Sequence, residues 1–213
     1  MKITLIGMSN TGKSFWSKQM EQQLGFVRFD CDALVGGKLG IAGISNVAEW
    51  MGQPYEKRYA ENSQTYLDYE REVMREVLMQ AEMLPKSSNV VIDTTGSVIY
   101  TGDEIMSALK YSTTVAYLDT PQSVQDEMFA KYIAEPKPVI WGESFVRQAE
   151  EPVEATLKRC YPQLLAFRTG QYKRWAGVVL DYHQLREPGM RVDDFVAPFK
   201  GFVTEGKSPA FMK

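Results

Sequence analysis

Residues 7–14 of the chain read GMSNTGKS and follow directly on the short apolar run MKITLI (1–6). Gly7, Gly12, Lys13 and Ser14 complete the pattern G-x-x-x-x-G-K-[ST], which lies between a predicted strand and a predicted helix. The two glycines let the backbone curl so that successive N–H groups face phosphate oxygens. The helix that follows adds the positive end of its dipole. The stretch is therefore predicted to bind the phosphates of a nucleoside triphosphate.

The polar residues of this loop have separate expected tasks. The Lys13 ammonium would neutralise charge on the β- and γ-phosphates, and the Ser14 hydroxyl would bind Mg²⁺. The alternative is a tight strand-to-helix turn whose lysine is solvated. The candidate residues for binding ATP are Gly7, Ser9, Asn10, Thr11, Gly12, Lys13, Ser14 and Phe15.

Composition narrows the class of protein. The chain has 213 residues, 44% of them hydrophobic, and a formal charge of −3, which suits one α/β domain and disfavours nucleic acid as a partner. No run approaches the roughly 18 apolar residues that a membrane span needs. Cys31 and Cys160 lack metal or redox spacing, so we expect free thiols and a cytoplasmic location. The single His183 excludes a histidine-rich metal site.

Strand-like and helix-like segments alternate, which predicts a parallel sheet covered by helices. The predicted strands are 2–7, 26–30, 89–96, 113–120 and 177–182, and the predicted long helices are 13–25, 55–84 and 150–175. Residues 33–54 are rich in glycine and poorly periodic, so a loop with one short helix is expected there. The last long helix is expected to kink or break at Pro162. The tail beyond residue 187 has no clear period.

Three aspartates are candidates for the chemistry at the phosphates. Asp30 and Asp32 stand two apart in FDCD, and in an extended segment this spacing aims both side chains the same way. One would hold Mg²⁺ through water, and the other would accept a proton from an acceptor hydroxyl. Helix-capping or turn aspartates are the alternative. Asp93 ends the strand VVID and would support Mg²⁺ or cap the TTG turn.

The segment from Lys2 to Asp181 resembles shikimate kinase and its relatives among the nucleoside monophosphate kinase-like P-loop proteins. GMSNTGKS and FDCD match the opening of that family and its D-x-D. IDTTGS falls at the glycine-rich substrate loop but keeps only Gly96 of three glycines. KPVI is similar to the lid motif, with Lys137 in place of an arginine. RTGQYKRWA matches the late pattern through Arg168, Tyr172 and Ala176.

The resemblance implies a three-layer α/β fold with a five-stranded parallel sheet in the order 2-3-1-4-5. It implies a single domain over 1–213, with an acceptor-binding lobe at 33–84, a lid at 128–148 and a tail at 187–213. The activity that it implies is ATP- and Mg²⁺-dependent phosphorylation of a hydroxyl group. The expected partners are ATP and a small-molecule acceptor, and the oligomeric state is left open.

The resemblance also assigns roles to residues. Asp30 would serve Mg²⁺, Asp32 would orient or deprotonate the acceptor hydroxyl, and Arg168 would grip an anionic acceptor group. Lys137 would act over the phosphates, and Gly96 would line the acceptor. Leu67 stands where the family has a second carboxylate-binding arginine, so the expected acceptor is a small anionic hydroxylated molecule other than shikimate. A nucleoside or nucleotide kinase and an inactive nucleotide-binding regulator are the alternatives.

Overall fold

One parallel sheet of five strands organises the chain in the computed structural model, which describes residues 1–135 and 137–201. The strands are β1 (Lys2–Ile6), β2 (Val27–Asp30), β3 (Val90–Asp93), β4 (Thr114–Leu118) and β5 (Val178–Leu180). They lie in the order β2-β3-β1-β4-β5, and all four pairings are parallel. The predicted strand order is confirmed.

The apolar run before the phosphate-binding loop becomes the central strand. Ile3 and Leu5 are buried on one face of β1, where they join the same apolar cluster as Val91 of β3. Ile6 belongs to the cluster on the opposite face. A strand covered on both faces is expected to be apolar throughout, which is why MKITLI lacks the alternation of an exposed strand.

Helices cover both faces of the sheet. They are α1 (Lys13–Leu24), α2 (Cys31–Leu39), α3 (Ile44–Met51), α4 (Tyr59–Met83), α5 (Asp103–Ser112), α6 (Gln125–Ala134), α7 (Val153–Trp175) and α8 (Val192–Val196). Helices α1 and α8 share one apolar cluster with the sheet, and α2 to α7 share the other. The three-layer α/β architecture is therefore confirmed.

The prediction for residues 33–54 was wrong, because two helices, α2 and α3, occupy most of this segment. Glycine inside a helix costs about 1 kcal/mol relative to alanine, so Gly36 and Gly37 weaken the helical signal in the sequence. Burial of Val35 and Val47 offsets this cost. A Cβ on Gly36 would lie 2.8 Å from the Ile41 carbonyl oxygen, so the return of the chain toward α3 requires glycine there.

Two further differences concern the last third of the chain. Helix α7 continues through Pro162 as a single element, so the predicted break is absent. Part of the tail is ordered, because Phe195 of α8 stacks on Trp16 of α1 with ring centroids 4.6 Å apart. Residues 202–213 of the predicted tail lie outside the described residues. No helix in the described ranges is long and apolar enough to cross a membrane.

Candidate active site

The loop at residues 7–12 leaves the start of α1 open toward the carboxyl edge of the sheet. Gly7, Asn10 and Gly12 adopt positive φ angles of 147°, 66° and 104°, which the tight curl requires. Gly12 is the N-cap of α1, no side chain caps the helix, and its first turn has no acidic residue. The N–H groups and the dipole of α1 are thus available to an anion.

The side chain of Lys13 turns back into this loop and is only 6% exposed. Its ammonium donates hydrogen bonds of 2.9 Å to the carbonyl oxygens of Gly7 and Met8. Burial lowers the pKa of Lys13, and the nearby charges of Asp93 and Asp32 oppose this effect. Lys13 is therefore not solvated as the alternative supposed, because its ammonium lies inside the loop and bonds to two of its carbonyls.

Asp30 and Asp93 share a cation that the sequence analysis missed. The Arg28 guanidinium donates to Asp30 Oδ2 at 2.7 Å and to Asp93 Oδ2 at 2.9 Å. Asp30 Oδ1 accepts from the backbone N–H of Ala33 and caps α2, as the capping alternative predicted. Asp93 is buried, and its Oδ1 has no hydrogen-bond partner among the described residues. Of the two aspartates among the three candidate Mg²⁺ residues, Asp93 therefore keeps an oxygen available.

Asp32 lies in the first turn of α2, so the extended segment assumed for FDCD ends at Asp30. The pKa of Asp32 is raised to about 6, mainly because the side chain is buried. The positive charge of Lys13 lowers this pKa, whereas the negative charges of Asp93 and Asp30 raise it further. A carboxylate with this pKa accepts a proton more readily than an ordinary aspartate.

Two cavities meet at the carboxyl edge. One, of about 400 Å³, lies over the phosphate-binding loop and is lined by Lys13 and Lys131 among others. The second, of about 640 Å³, lies against α2 and α3 and is lined by Lys18 and by four glycines of that region. The residues that line both cavities are Ser14, Asp32, Ile44 and Lys137. Ser14, Asp32 and Lys137, which are predicted as metal, base and lid residues, thus stand at the junction, whereas the predicted metal residue Asp30 lines only the second cavity and Asp93 lines neither.

The predicted lid segment contacts the phosphate-binding loop and the body of the protein. The ammonium of Lys137 donates to Asn10 Oδ1 at 2.6 Å, so the lid motif bonds directly to the loop. Lys131 is held by Glu127 of the same helix at 2.6 Å.

Trp141 is 1% exposed, and its backbone N–H donates to the Tyr59 hydroxyl at 2.8 Å. Trp141 therefore anchors the segment to the body.

Gly96 and Arg168 lie together behind the phosphate-binding loop. A Cβ on Gly96 would be 3.2 Å from Ser9 Oγ and 3.5 Å from Arg168 Nη1, so glycine permits this close approach. Arg168 is 4% exposed and donates to the Ile140 carbonyl oxygen of the lid segment at 2.7 Å. Its Nε is buried and has no hydrogen-bond partner among the described residues. Neither residue lines the two cavities described above.

Glu70 of α4 is a buried acid that the sequence analysis also missed. Its carboxylate accepts hydrogen bonds from the hydroxyls of Thr95 and Ser97, in the loop where the resembling family has glycines. Burial raises the pKa of Glu70 to about 7, although these two bonds oppose the shift. The sequence did contain a signal for the burial of Glu70. This residue stands four positions after Tyr66 and three before Val73, on the inward stripe of α4.

The strand order and the loop geometry define the fold of a P-loop kinase of the shikimate kinase type. Solved shikimate kinases from Acinetobacter baumannii (in complex with shikimate), Aquifex aeolicus and Bacteroides thetaiotaomicron superpose on the chain with TM-scores of 0.59, 0.60 and 0.62. Sequence identities are 21%, 18% and 20%, over 93–94% of this chain and 89%, 97% and 96% of the respective relatives. No protein-family model and no curated protein matches the chain.

Proposed function

We propose that this protein is an ATP-dependent kinase that phosphorylates a hydroxyl group of a small anionic molecule. The observation that carries the proposal is the meeting of the two cavities at Ser14, Asp32 and Lys137. A phosphoryl transfer enzyme needs a donor site and an acceptor site that share the groups acting on the transferred phosphoryl. The cavity over the loop suits the phosphates of ATP, and the cavity against α2 and α3 suits the acceptor.

The transfer step follows from these positions. The acceptor hydroxyl oxygen attacks the γ-phosphorus, the bond from that phosphorus to the bridging β-phosphate oxygen breaks, and Asp32 takes the hydroxyl proton. Lys13 exchanges its bonds with the Gly7 and Met8 carbonyls for bonds to phosphate oxygens, where it stabilises the developing charge. Lys137 reaches the same junction from the lid side and helps to exclude water.

Ser14 and Asp93 are the residues that would hold Mg²⁺, and the unpartnered Oδ1 of Asp93 fits an outer-sphere role. When bound with ATP, the ion would neutralise charge on the phosphate oxygens. Asp30 would contribute less, because both of its carboxylate oxygens already accept hydrogen bonds.

Two lysines of the acceptor cavity would attract an anionic acceptor. Lys18 and Lys137 line the cavity and are exposed or partly exposed, whereas Asp30 and Asp32 in the same lining oppose an anion. Arg168 is a buried guanidinium that forms no ion pair among the described residues; it lines neither cavity, so it would reach an acceptor anion only after a movement that breaks its bond to the Ile140 carbonyl. Leu67 packs against the core at the position where the resembling family has its second arginine, which supports an acceptor other than shikimate unless Arg58 or Arg71 supplies the second guanidinium.

The test is ADP formation with a panel of sugar acids, polyols, nucleosides and shikimate. We expect at least one anionic hydroxylated compound to raise ADP release about tenfold or more over the rate without acceptor. Asp32→Asn should lower that stimulated rate by roughly 10²-fold or more, the scale of losing a general base. Asp68→Asn, an exposed aspartate of α4, serves as the control and should leave it unchanged.

Two results contradict the proposal. ADP release that no compound stimulates would favour a nucleotide-binding regulator or a simple hydrolase. A stimulated rate that Asp32→Asn leaves intact would remove the assigned base. Stimulation by nucleosides alone would instead move the acceptor class to that of a nucleoside kinase.

A further inference from the structure

Arg28 forms a closed ring of hydrogen bonds behind the phosphate-binding loop. Its Nε donates to Ser17 Oγ at 2.8 Å, and Ser17 Oγ donates to Asp93 Oδ2 at 2.9 Å. The ring closes through Arg28 Nη2, which donates to Asp93 Oδ2 at 2.9 Å and also to Asp30 Oδ2 at 2.7 Å. The side chain of Arg28 is 9% exposed, so these bonds are largely shielded from water.

The ring uses only one of the two carboxylate oxygens of Asp93. Oδ2 accepts two hydrogen bonds, whereas Oδ1 is buried and accepts none from the part of the chain that the structure describes. Buried carboxylate oxygens without partners are rare, and one at the end of a strand beside a phosphate-binding loop indicates a ligand that brings its own donors. Water molecules on a nucleotide-bound cation are such donors.

Arg28 is the cation that bonds directly to two of the three carboxylates at this point, Asp30 and Asp93. The charges of Asp93 and Asp30 act on Asp32, and those of Asp93 and Asp32 act on the ammonium of Lys13. Without the guanidinium, the carboxylates would keep only the charges of Lys13, Lys137 and Arg168 nearby, and these cations form no ion pair with Asp30 or Asp93 among the described residues. Arginine stays protonated throughout the physiological range, so its charge is a permanent part of the site.

We propose that Arg28 is a positioning residue that makes divalent-cation binding conditional on the nucleotide. It holds Asp93 with only Oδ1 available, and its charge offsets the carboxylates that would otherwise attract a free hydrated cation. Phosphate oxygens then supply the missing negative charge, so the cation enters with ATP. This inference rests on the proposed function, because it requires a nucleotide whose phosphates occupy the cradle.

The experiment measures Mn²⁺ binding by electron paramagnetic resonance, which counts the free hydrated ion and needs no turnover. The full chain is titrated with Mn²⁺ alone and then in the presence of a non-hydrolysable ATP analogue, and the Mn²⁺ that the analogue holds in buffer without protein is subtracted. We expect tight binding by the wild-type chain only when the analogue is present. Arg28→Met should gain a site without nucleotide, with an affinity on the order of tenfold or more above wild type, because a cation in contact with two carboxylates is lost.

Three variants separate charge from structure. Arg28→Gln also lacks the charge but keeps amide donors for Ser17 and Asp93, so it should gain the same site even where Arg28→Met folds poorly. Arg28→Lys keeps the charge and should behave as wild type without nucleotide. Arg159→Met breaks an arginine–carboxylate pair with Glu151 outside the site and should gain nothing.

Three outcomes would contradict either this proposal or the proposed function. Folded Arg28→Met and Arg28→Gln that bind no Mn²⁺ without nucleotide would show that Arg28 only ties the elements together, and the proposal falls. Nucleotide-free binding by the wild-type chain would also overturn it. Failure of the wild-type chain to bind Mn²⁺ with the analogue would instead contradict the proposed function, which is a distinguishable result.

Discussion

Two neighbouring turns at the carboxyl edge of the sheet use their polar groups in opposite ways. The turn after β1, residues 7–12, ends in an uncapped helix and holds an ammonium between two backbone carbonyls. In the turn after β3, residues 94–97, the side-chain hydroxyl groups form hydrogen bonds with other groups of the protein. Thr94 donates to the Leu5 carbonyl at 2.7 Å, and the hydroxyls of Thr95 and Ser97 donate to Glu70.

The difference indicates which turn is built to receive a ligand. Open N–H groups and a helix dipole favour an anion and need no rearrangement of the backbone. A turn whose hydroxyls are held by a buried carboxylate favours rigidity, because each bond would have to be broken before a ligand could replace it. We therefore expect changes in the first turn to affect turnover and changes around the second to affect stability.

Lys13→Ala tests the role of the first turn and should have the largest effect on turnover. The variant should remain folded, because the lost ammonium contacts only loop carbonyls, and it should lower acceptor-stimulated turnover by about 10²-fold or more. ADP formation and a thermal melt measure the two effects. Lys110→Ala, an exposed lysine of α5, is the control. A variant that keeps full turnover would remove the assigned phosphate cradle.

Glu70→Gln tests the second turn through the pH dependence of stability. Burial raises the pKa of Glu70 to about 7, above the value of about 4.3 expected in the unfolded chain. The stability that this group contributes is therefore present below pH 4.3 and is lost as the pH rises through 7. Wild type should lose roughly 2–3 kcal/mol from this source between pH 4.5 and 7.5, which the variant should not lose.

Urea unfolding of both chains across this pH range measures the difference. Glu61→Gln, an exposed position on the same helix, should follow the wild-type profile. Equal slopes for wild type and Glu70→Gln would mean that the buried carboxylate stays charged and that the hydroxyl bonds outweigh its burial.

Lys137→Ala tests the contact between the lid segment and the first turn. The lost bond to Asn10 and the lost charge at the cavity junction should lower turnover about tenfold, equivalent to about 1.4 kcal/mol. Lys137→Arg keeps the charge and should stay close to wild type. Lys131→Ala should cost less, because its ammonium already pairs with Glu127. If Lys131→Ala lowered turnover more than Lys137→Ala, the role assigned to Lys137 would belong to Lys131.

Gly96→Ala tests how strongly the two turns are coupled. The added methyl would press on Ser9 at 3.2 Å, so we expect a loss of about 1 kcal/mol in stability and a weaker affinity for the ATP analogue. Gly170→Ala is the matched control, since a Cβ at this helical position meets nothing within 4 Å and should be neutral or mildly stabilising. Equal behaviour of the two variants would show that the turns are independent.

Local patterns in the sequence predicted the fold and the first turn well. GMSNTGKS and the apolar strands carry their information in consecutive residues, and the strand order followed from the resemblance. Only one short helix was predicted where α2 and α3 lie, because tertiary burial outweighs the poor helix propensity of Gly36 and Gly37.

The missed site residues depend on contacts between distant segments. Arg28 shares a strand face with Asp30, which the alternation of β2 signals, but its bond to Asp93 spans 65 positions. Glu70 appears on the inward stripe of α4, yet its partners lie in the turn after β3. Such pairings follow from the packed fold and not from spacing along one segment.

The central claim is that ATP and a hydroxylated acceptor meet at the junction of the two cavities, and phosphorus NMR tests it most directly. Wild-type protein is incubated with ATP, Mg²⁺ and each compound of the acceptor panel, and the products are followed by their resonances. The account predicts a new phosphomonoester signal that grows in step with ADP for an anionic hydroxylated compound. Inorganic phosphate as the sole product, or ATP that stays intact with every compound, would contradict it.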